Sequence, residues 1–449
     1  MKPIEEFDIV GIGFGPGNIA LVVSLDEMAL GASVQFLESN TAPDWQPEML
    51  LDGSDTQHNP LRDFVTPRNP CSPYGFLSYL KSENRMFEFL NLGLEFPFRK
   101  DYARYVRWVA RHFDRWVSYG ERATSITVDP SDSRRFIVDT GLGRRLRARA
   151  VSFGPGRTPF VPDQFKSCTG GRVQHFSRYL STLARWQSER PLKSVAVIGS
   201  SQSAVEIVLD LAASHPGVMV HNVHRSYSYQ LKDTSPFTEQ VYFPEFVDAY
   251  YDAPYQTQRA LTRELWRSNY SAADHDVIKQ LYVKLYEQKL DGRQCIAVHP
   301  ALEILESQET GESITLTLRD RLNAKQTKLT VDGVILATGF RNLGPGENEE
   351  LHPALLSDIA GQLRRRDDGT LHIERDYRVV GEHTALGPLF LNGLCESTHG
   401  FGDAGSFSLL SLRSWTIAES IRTALADASG HDTEGIQRAH AALETATSL

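Results

Sequence analysis

The chain has 449 residues, with 47 lysines and arginines against 56 aspartates and glutamates, for a formal net charge of −9. Hydrophobic residues make up 41% and charged residues 23%, an ordinary globular composition that excludes a disordered or collagen-like chain. The length predicts about three domains, and the acidic balance argues against a nucleic-acid binder, whose domain would carry a basic patch.

The apolar stretch from Phe7 to Leu25 reads as strand, glycine turn and helix. Asp8, Pro16 and Asn18 interrupt it and Glu5 and Glu6 precede it, so neither a secretion signal nor a membrane span is expected. Val34 to Glu38 reads as a second buried strand, which completes a strand–helix–strand unit on a parallel sheet. Pro43, Pro47, Pro60, Pro67, Pro70 and Pro73 break the pattern into a long ordered loop or a functional insertion. Helical periodicity returns over Asp101–Trp116, where Tyr102, Val106, Val109 and Phe113 share a face. Val151 to Gly156 is strand and turn, and 154–162 reads as a crossover between domains. A second unit starts at Ser194 and takes Val218–Val223 as its second strand. Residues 256–290 read as mostly helical, with Gly292 as a cap. Leu329 to Phe340 reads as one strand ending in a turn. A helix around Ser408–Ala424 and a polar tail close the chain.

Two glycine turns carry chemistry. In the first, Gly11 permits a tight turn, Gly13 lets backbone approach a pyrophosphate, Gly15 adds freedom and Pro16 opens the helix at a position where its missing N–H costs nothing. Glu38 ends the next strand, where a carboxylate can hold ribose hydroxyls. The second turn, Gly199 to Ala204, includes Ser201, Gln202 and Ser203. Its second strand ends in His224 and Arg225, with no acid; an arginine there accommodates a 2′-phosphate, so NADPH is expected over NADH, a solvated surface arginine being the plainer alternative. Two dinucleotide sites in one chain imply FAD and a nicotinamide cofactor exchanging a hydride. Thr338, after the strand that follows, fits the return crossing of such flavoproteins.

Cys71, Cys168, Cys295 and Cys395 form no close pair, so a redox dithiol and a zinc ribbon are both unsupported and no metal site is expected; reduced thiols fit a cytoplasmic protein. Of a ketone-oxygenase fingerprint only Gly171 and His175 remain, with Thr169 and Tyr179 at its aromatic ends. Oxygen chemistry on a smaller nucleophile is left as the leading reading. His399 and the aromatic group of Tyr227, Tyr229, Tyr242 and Phe243 read mainly as packing residues.

Several stretches resemble the microbial flavin-dependent N-hydroxylating monooxygenases, the L-ornithine and L-lysine N-hydroxylases of siderophore biosynthesis. They are 11–18, 61–77, 91–93, 105–110, 199–204, 234–237, 269–271, 337–339 and 398–400, in family order. The resemblance implies that NADPH reduces FAD, that O2 gives a C4a-hydroperoxyflavin, and that a neutral primary amine takes the distal oxygen. It places Gln57 near flavin and substrate, Trp45 and Leu410 against the flavin, Arg225 on the 2′-phosphate, and Asn269 between substrate and nicotinamide. Ser411 falls in the segment that closes the site. Gln46 stands where the family has histidine beside the tryptophan. Two departures concern the substrate: Arg62 replaces the lysine that grips the amino-acid carboxylate, and Glu239 replaces a supporting asparagine. Either Glu239 pairs with Arg62 or it receives a positive group from the substrate. Ornithine or lysine is therefore expected, with a diamine lacking a carboxylate (putrescine, cadaverine) or another flavin-monooxygenase substrate as the alternative.

The expected fold is α/β, with two Rossmann-like dinucleotide-binding domains and a small helical substrate region. Residues 1–190 and 331–449 would hold FAD, 191–330 NADPH, and 235–290 the substrate. The partners expected are a small-molecule amine and O2, with no nucleic acid and no membrane. A homodimer or homotetramer is implied by the resemblance.

Overall fold

A computed structural model describes residues 3–382, 386–403 and 405–427. The expected polar tail lies outside the described residues. Strand β1 (Glu5–Ile12) runs at the centre of a seven-stranded sheet, where Ile9 and Val10 are fully buried. It passes through a glycine turn into α1 (Pro16–Glu27) and then β2 (Val34–Glu38), which pairs parallel to β1. Helix α1 is buried on every side from Asn18 to Leu25, as a helix without a polar face must be. The proline-rich stretch is mostly turns, without long regular structure.

Helices α2 (Phe76–Ser82), α3 (Met86–Leu92) and α4 (Arg99–Arg111) follow. Helix α4 packs on α1 and buries Tyr102, Val106 and Val109, the face that the periodicity predicts. It stops at Arg111, and Phe113 enters the core from the segment beyond. Strands β3 (Val117–Tyr119), β4 (Ala123–Asp129), β5 (Asp132–Thr140) and β6 (Arg145–Phe153) complete this part of the sheet, in the order β3-β2-β1-β6-β5-β4.

The second sheet begins at β7 (Val173–His175), followed by α5 (Tyr179–Glu189), β8 (Ser194–Ile198), α6 (Gln202–Ser214) and β9 (Met219–Val223). Its edge strand and the buried Tyr179, Leu183 and Trp186 of its core thus come from before residue 191. Helices α7 (Pro244–Asp252), α8 (Tyr255–Glu264) and α9 (His275–Leu290) follow. Of the helices in the expected substrate region, α9 packs on α6 through Leu281 and so belongs to the core of the second sheet. Strands β10 (Ile296–His299), β11 (Leu302–Thr310), β12 (Ser313–Asp320), β13 (Gln326–Val331) and β14 (Gly333–Leu336) come next. The second sheet is parallel, ordered β10-β9-β8-β14-β7, and β11-β12-β13 form an antiparallel sheet beside it.

One expected strand is two. Leu329 to Phe340 breaks at Asp332, whose carboxylate accepts from the N–H groups of Lys193 at 2.6 Å and Ser194 at 2.8 Å. Those bonds draw the chain out of the antiparallel sheet and into the parallel one. Gly333 is required there, because a Cβ would lie 2.5 Å from the Trp186 ring. The chain returns to the first sheet with β15 (Leu389–Leu391), which pairs parallel with β6. Then come α10 (Glu396–His399) and a helix over 410–427, α11.

The mixed first sheet, in which β4, β5 and β6 pair antiparallel, and the parallel second sheet are tied by a buried ion pair. Arg99 of α4 donates from both terminal nitrogens to Glu206 of α6, at 3.0 Å each. Both side chains are 8% exposed, and the bidentate geometry offsets their desolvation. Among the described residues no helix is long and apolar enough to cross a membrane.

Candidate functional site

The first glycine turn lies at the end of β1. Gly13 has φ +78°, and a Cβ there would lie 2.7 Å from the Gly154 carbonyl oxygen and 2.9 Å from Pro155 Cα. Asn18 holds the turn by donating to the carbonyls of Gly13 at 2.7 Å and Ile12 at 3.1 Å. A Cβ on Gly15 would meet nothing within 4 Å, so this residue leaves open space at the start of α1, with Pro16 at its first position. The Glu38 carboxylate is oriented by the N–H groups of Phe14 and Asn40, each at 2.7 Å.

From here a cavity of about 580 Å³ runs past Gly13, Gly15, Pro16 and Glu38 to Trp45, Phe407 and Leu410. One end offers a helix N-terminus for an anion and a carboxylate for hydroxyls. The other end is aromatic and aliphatic. The donor set and the space over Gly15 fit a dinucleotide with a flat ring system.

At the aromatic end, Phe407 meets Trp45 edge-on at 5.3 Å between ring centroids and stacks on His58 at 5.3 Å. The sequence reading missed His58. Its Nδ1 lies 2.8 Å from the Thr56 carbonyl, which assigns the proton to that nitrogen. Its Nε2 is buried without a partner among the described residues. Burial, reinforced by the charges of Arg62 and Lys232, pushes this histidine down to about 4.

Gln57 has φ +57°, and its N–H donates to Asp55 Oδ1 at 2.9 Å. Burial raises that aspartate to about 6. The Gln57 amide donates to the Asp274 carboxylate, and the Asp274 N–H donates to Gln202 Oε1 at 2.9 Å. Gln202 continues to Glu206 at 3.0 Å. Gln57 and Gln202, which the sequence assigns to different cofactors, are therefore joined through Asp274.

Arg62 and Glu239 meet. Arg62 Nη1 donates to Glu239 Oε2 at 3.2 Å and to Ser408 Oγ at 3.2 Å. The side chains are 28% and 25% exposed. Ser408 belongs to the segment whose Phe407 and Leu410 line the cavity. The serine beside Arg62 is thus Ser408. Ser411, expected in the segment that closes the site, is fully buried in the first turn of α11, and its Oγ has no partner among the described residues.

The second turn has the same construction with a serine in the middle. Gly199 has φ +133°, and a Cβ would lie 2.5 Å from the Ala337 carbonyl oxygen. Asn222 donates to the carbonyls of Val197 at 3.0 Å and Gly199 at 2.9 Å. Ser201 is the N-cap residue of α6 and makes no side-chain cap bond. The N–H of Gln202 is taken by the Ala272 carbonyl and that of Gly199 by the Val223 carbonyl, each at 3.0 Å, so neither is a free donor of the turn. Arg225 is exposed just past β9. Thr338 donates to the Phe160 carbonyl at 2.5 Å, so its hydroxyl pins the crossover. The aromatic group divides: Tyr227 is exposed, Tyr229 donates to Asn222, and Tyr242 is buried under Arg62.

Asn269 follows a single 3₁₀ turn, and its side-chain amide has no hydrogen-bond partner among the described residues. Its neighbour Tyr270 donates to Glu396 Oε2 at 2.5 Å and accepts from Arg157 Nη1 at 2.7 Å. Asn342 donates to the other Glu396 oxygen at 2.8 Å. Burial pushes Glu396 up to about 7. A raised carboxyl binds its proton in the folded state first, so its stabilisation is full below about 4.5 and is lost as pH rises through 7. Relative to a Glu396→Gln variant, which cannot ionise, the parent chain should lose about 2–3 kcal/mol between pH 4.5 and 8. Urea unfolding of both at those pH values measures the difference, and a pH-independent difference would refute the assignment. His399 makes packing and hydrogen-bond contacts, with Thr398 Oγ1 at 2.8 Å and the Arg375 carbonyl at 3.2 Å.

The comparisons agree with this architecture. A sequence profile of the family described as L-lysine 6-monooxygenase/L-ornithine 5-monooxygenase matches residues 5–342. The L-ornithine N(5)-monooxygenase of Pseudomonas aeruginosa is 35% identical over 426 residues, covering 92% of this chain and 93% of that one. The L-ornithine N(5)-monooxygenase of Burkholderia cepacia is 36% identical over 410 residues, covering 88% and 90%. A solved ornithine N-hydroxylase from Kutzneria sp. 744, with reduced FAD, NADP+ and L-ornithine, superposes with a TM-score of 0.85 at 30% identity, covering 94% of this chain and 99% of that one. With the two glycine turns, the cavity and these matches in agreement, the chain belongs to the L-lysine 6-monooxygenase/L-ornithine 5-monooxygenase family.

Proposed function

We propose that this chain is an FAD- and NADPH-dependent N-hydroxylase of the side-chain amine of L-ornithine, with L-lysine as the longer relative, and that it supplies hydroxamate precursors of siderophore-type metabolites. The observation that carries the substrate choice is the Arg62–Glu239 pair beside Ser408. Paired, the two charges cancel. A zwitterionic amino-acid end can satisfy both, its carboxylate on Arg62 and its ammonium on Glu239. A diamine offers Glu239 an ammonium but brings that charge beside Arg62.

In this reading FAD is held by the Gly11–Pro16 turn, Glu38 and the wall of Trp45 and Leu410, and NADPH by the Gly199–Ser203 turn and Arg225. Bound FAD, reduced by NADPH, supplies the activation of O2. The chain's own residues bind, orient and dry the amine. Trp45, Phe407 and Leu410 keep water from the reacting end. Gln57 has its amide nitrogen committed to Asp274, which leaves its carbonyl oxygen to accept from flavin or substrate. Asn269 keeps a free amide for the amine. The amine must be neutral to react, and the burial and positive neighbours that keep His58 uncharged also disfavour an ammonium.

Residues 1–190 and 331–449 are assigned to flavin and 191–330 to NADPH, except that β7 (Val173–His175), α5 (Tyr179–Glu189) and β14 (Gly333–Leu336) go with the NADPH sheet and its core. The proposed assembly is a cytoplasmic homodimer or homotetramer. The test is hydroxylamine formation by the FAD-loaded protein, with L-ornithine, L-lysine, putrescine and cadaverine offered side by side and NADPH oxidation recorded. Product from the amino acids supports the reading. Product from the diamines alone overturns the substrate choice, and NADPH oxidation without hydroxylamine from any of them overturns N-hydroxylation.

A further inference from the structure

The second nucleotide turn is connected to a cation that the sequence reading did not single out. Ser200 Oγ of the turn lies 3.1 Å from Ser226 Oγ, which brings the segment after β9 against the phosphate-binding position. Two loops are layered on that segment by backbone bonds. The Ala301 N–H donates to the Ser226 carbonyl at 2.9 Å, and the Leu302 N–H to the His224 carbonyl at 3.1 Å. The Arg321 N–H in turn donates to the Ala301 carbonyl at 2.9 Å. From this third layer the Arg321 side chain reaches back, and its Nη1 donates to the Arg225 carbonyl at 2.8 Å.

Two exposed arginines thus meet at the end of β9, the Arg321 guanidinium against the Arg225 backbone. Among the described residues neither forms an ion pair, and the nearby acids are engaged elsewhere. Asp320 accepts from the Leu322 N–H at 2.7 Å and from Asn323 Nδ2 at 2.9 Å. Glu303 pairs with Arg319 at 2.5 Å. A cation with no counter-charge is free to pair with a bound anion. In a dinucleotide fold the end of the second strand is where the 2′ position of the adenosine ribose sits. Arg321 also retains donors beyond the one given to the Arg225 carbonyl.

We propose that Arg321 acts with Arg225 as a second ligand of the 2′-phosphate of NADPH and sets the preference for NADPH over NADH. The assignment rests on the NADPH reading above, and the experiment separates the two. The FAD-loaded protein and its Arg321→Gln and Arg225→Gln variants are titrated calorimetrically with 2′,5′-ADP and with 5′-AMP. The NADPH-to-NADH ratio of kcat/KM is measured beside them.

Arg321→Gln is expected to weaken 2′,5′-ADP about 10-fold, as for one lost charge-assisted bond, with 5′-AMP unchanged. The kcat/KM ratio should fall by a similar factor, and Arg321→Lys should recover part of the loss. Equal weakening of both nucleotides would make Arg321 a brace for the loop and overturn the proposal. A loss of 2′,5′-ADP affinity in Arg225→Gln alone would overturn it while leaving the NADPH reading intact. If the parent protein does not distinguish 2′,5′-ADP from 5′-AMP, the NADPH reading itself fails.

Discussion

A Gly13→Ala variant is expected to purify without bound flavin and to show no NADPH-dependent hydroxylamine formation. Two effects combine at this position. The backbone at φ +78° strains any residue with a Cβ, at a cost of about 1 kcal/mol or more. The added carbon also meets the Gly154 carbonyl oxygen at 2.7 Å and Pro155 Cα at 2.9 Å. Both are backbone atoms of the crossover and cannot rotate away as a side-chain tip could. The turn must open, and the Asn18 bonds that hold it in place open with it. The flavin absorbance of the purified protein, relative to its protein absorbance, should fall by about tenfold or more, which corresponds to a loss of at least ~1.4 kcal/mol of binding. Circular dichroism on the same sample separates a lost cofactor from a lost fold. Full flavin occupancy in the variant would remove the turn from the cofactor site.

Arg62→Ala is the second large effect. Its expected result is a loss of about 10- to 100-fold in kcat/KM for L-ornithine, carried mainly by KM, as for a charge-assisted bond worth about 1.5–3 kcal/mol. The fold should tolerate it. Glu239 is 25% exposed, so the unpaired carboxylate is hydrated and the pair contributes little to stability. The freed carboxylate then meets substrate without a cationic neighbour, and the relative preference for putrescine and cadaverine over ornithine should rise. Flavin content and NADPH affinity should not change. Parallel assays of the four amines with the parent and variant measure this shift. An unchanged KM for ornithine would take the pair off the substrate path.

The resemblance proved sound at the level of the family because its motifs sit on locally determined structure. A glycine turn between strand and helix follows from residue type alone, and Gly11, Gly13 and Gly199 fold as their spacing implies. The α4 face of Tyr102, Val106 and Val109 is likewise local, since helical periodicity needs no partner to be read. Where the argument required contacts between distant segments, the sequence left alternatives. Glu239 could pair with Arg62 or receive a positive group from the substrate, and nothing local to either residue shows that they lie 3.2 Å apart across separate elements. Ser408 was not singled out, because nothing local to it shows that it lies beside Arg62. The helix start at 410 turns Ser411 inward and leaves Ser408 on the preceding loop.

The same division explains the strand at Leu329. Its residues suit a strand on either side of Asp332, and the Asp332-Gly333 dipeptide is a local turn signal that the sequence reading passed over. The break arises because the Asp332 carboxylate finds two backbone N–H groups from another part of the chain. His58 and Glu396 belong to this class too. A histidine in a loop and a glutamate near a strand end carry no sign of burial in the sequence, yet burial shifts both titrations, one to about 4 and the other to about 7. The sequence by itself determined the two nucleotide turns, the α/β architecture and the family, because each rests on short-range backbone geometry and hydrophobic period. Only the tertiary structure decided which charges meet, which serine lies beside Arg62 and which titratable groups are dry, because desolvation and charge pairing depend on residues brought together from far apart in the chain.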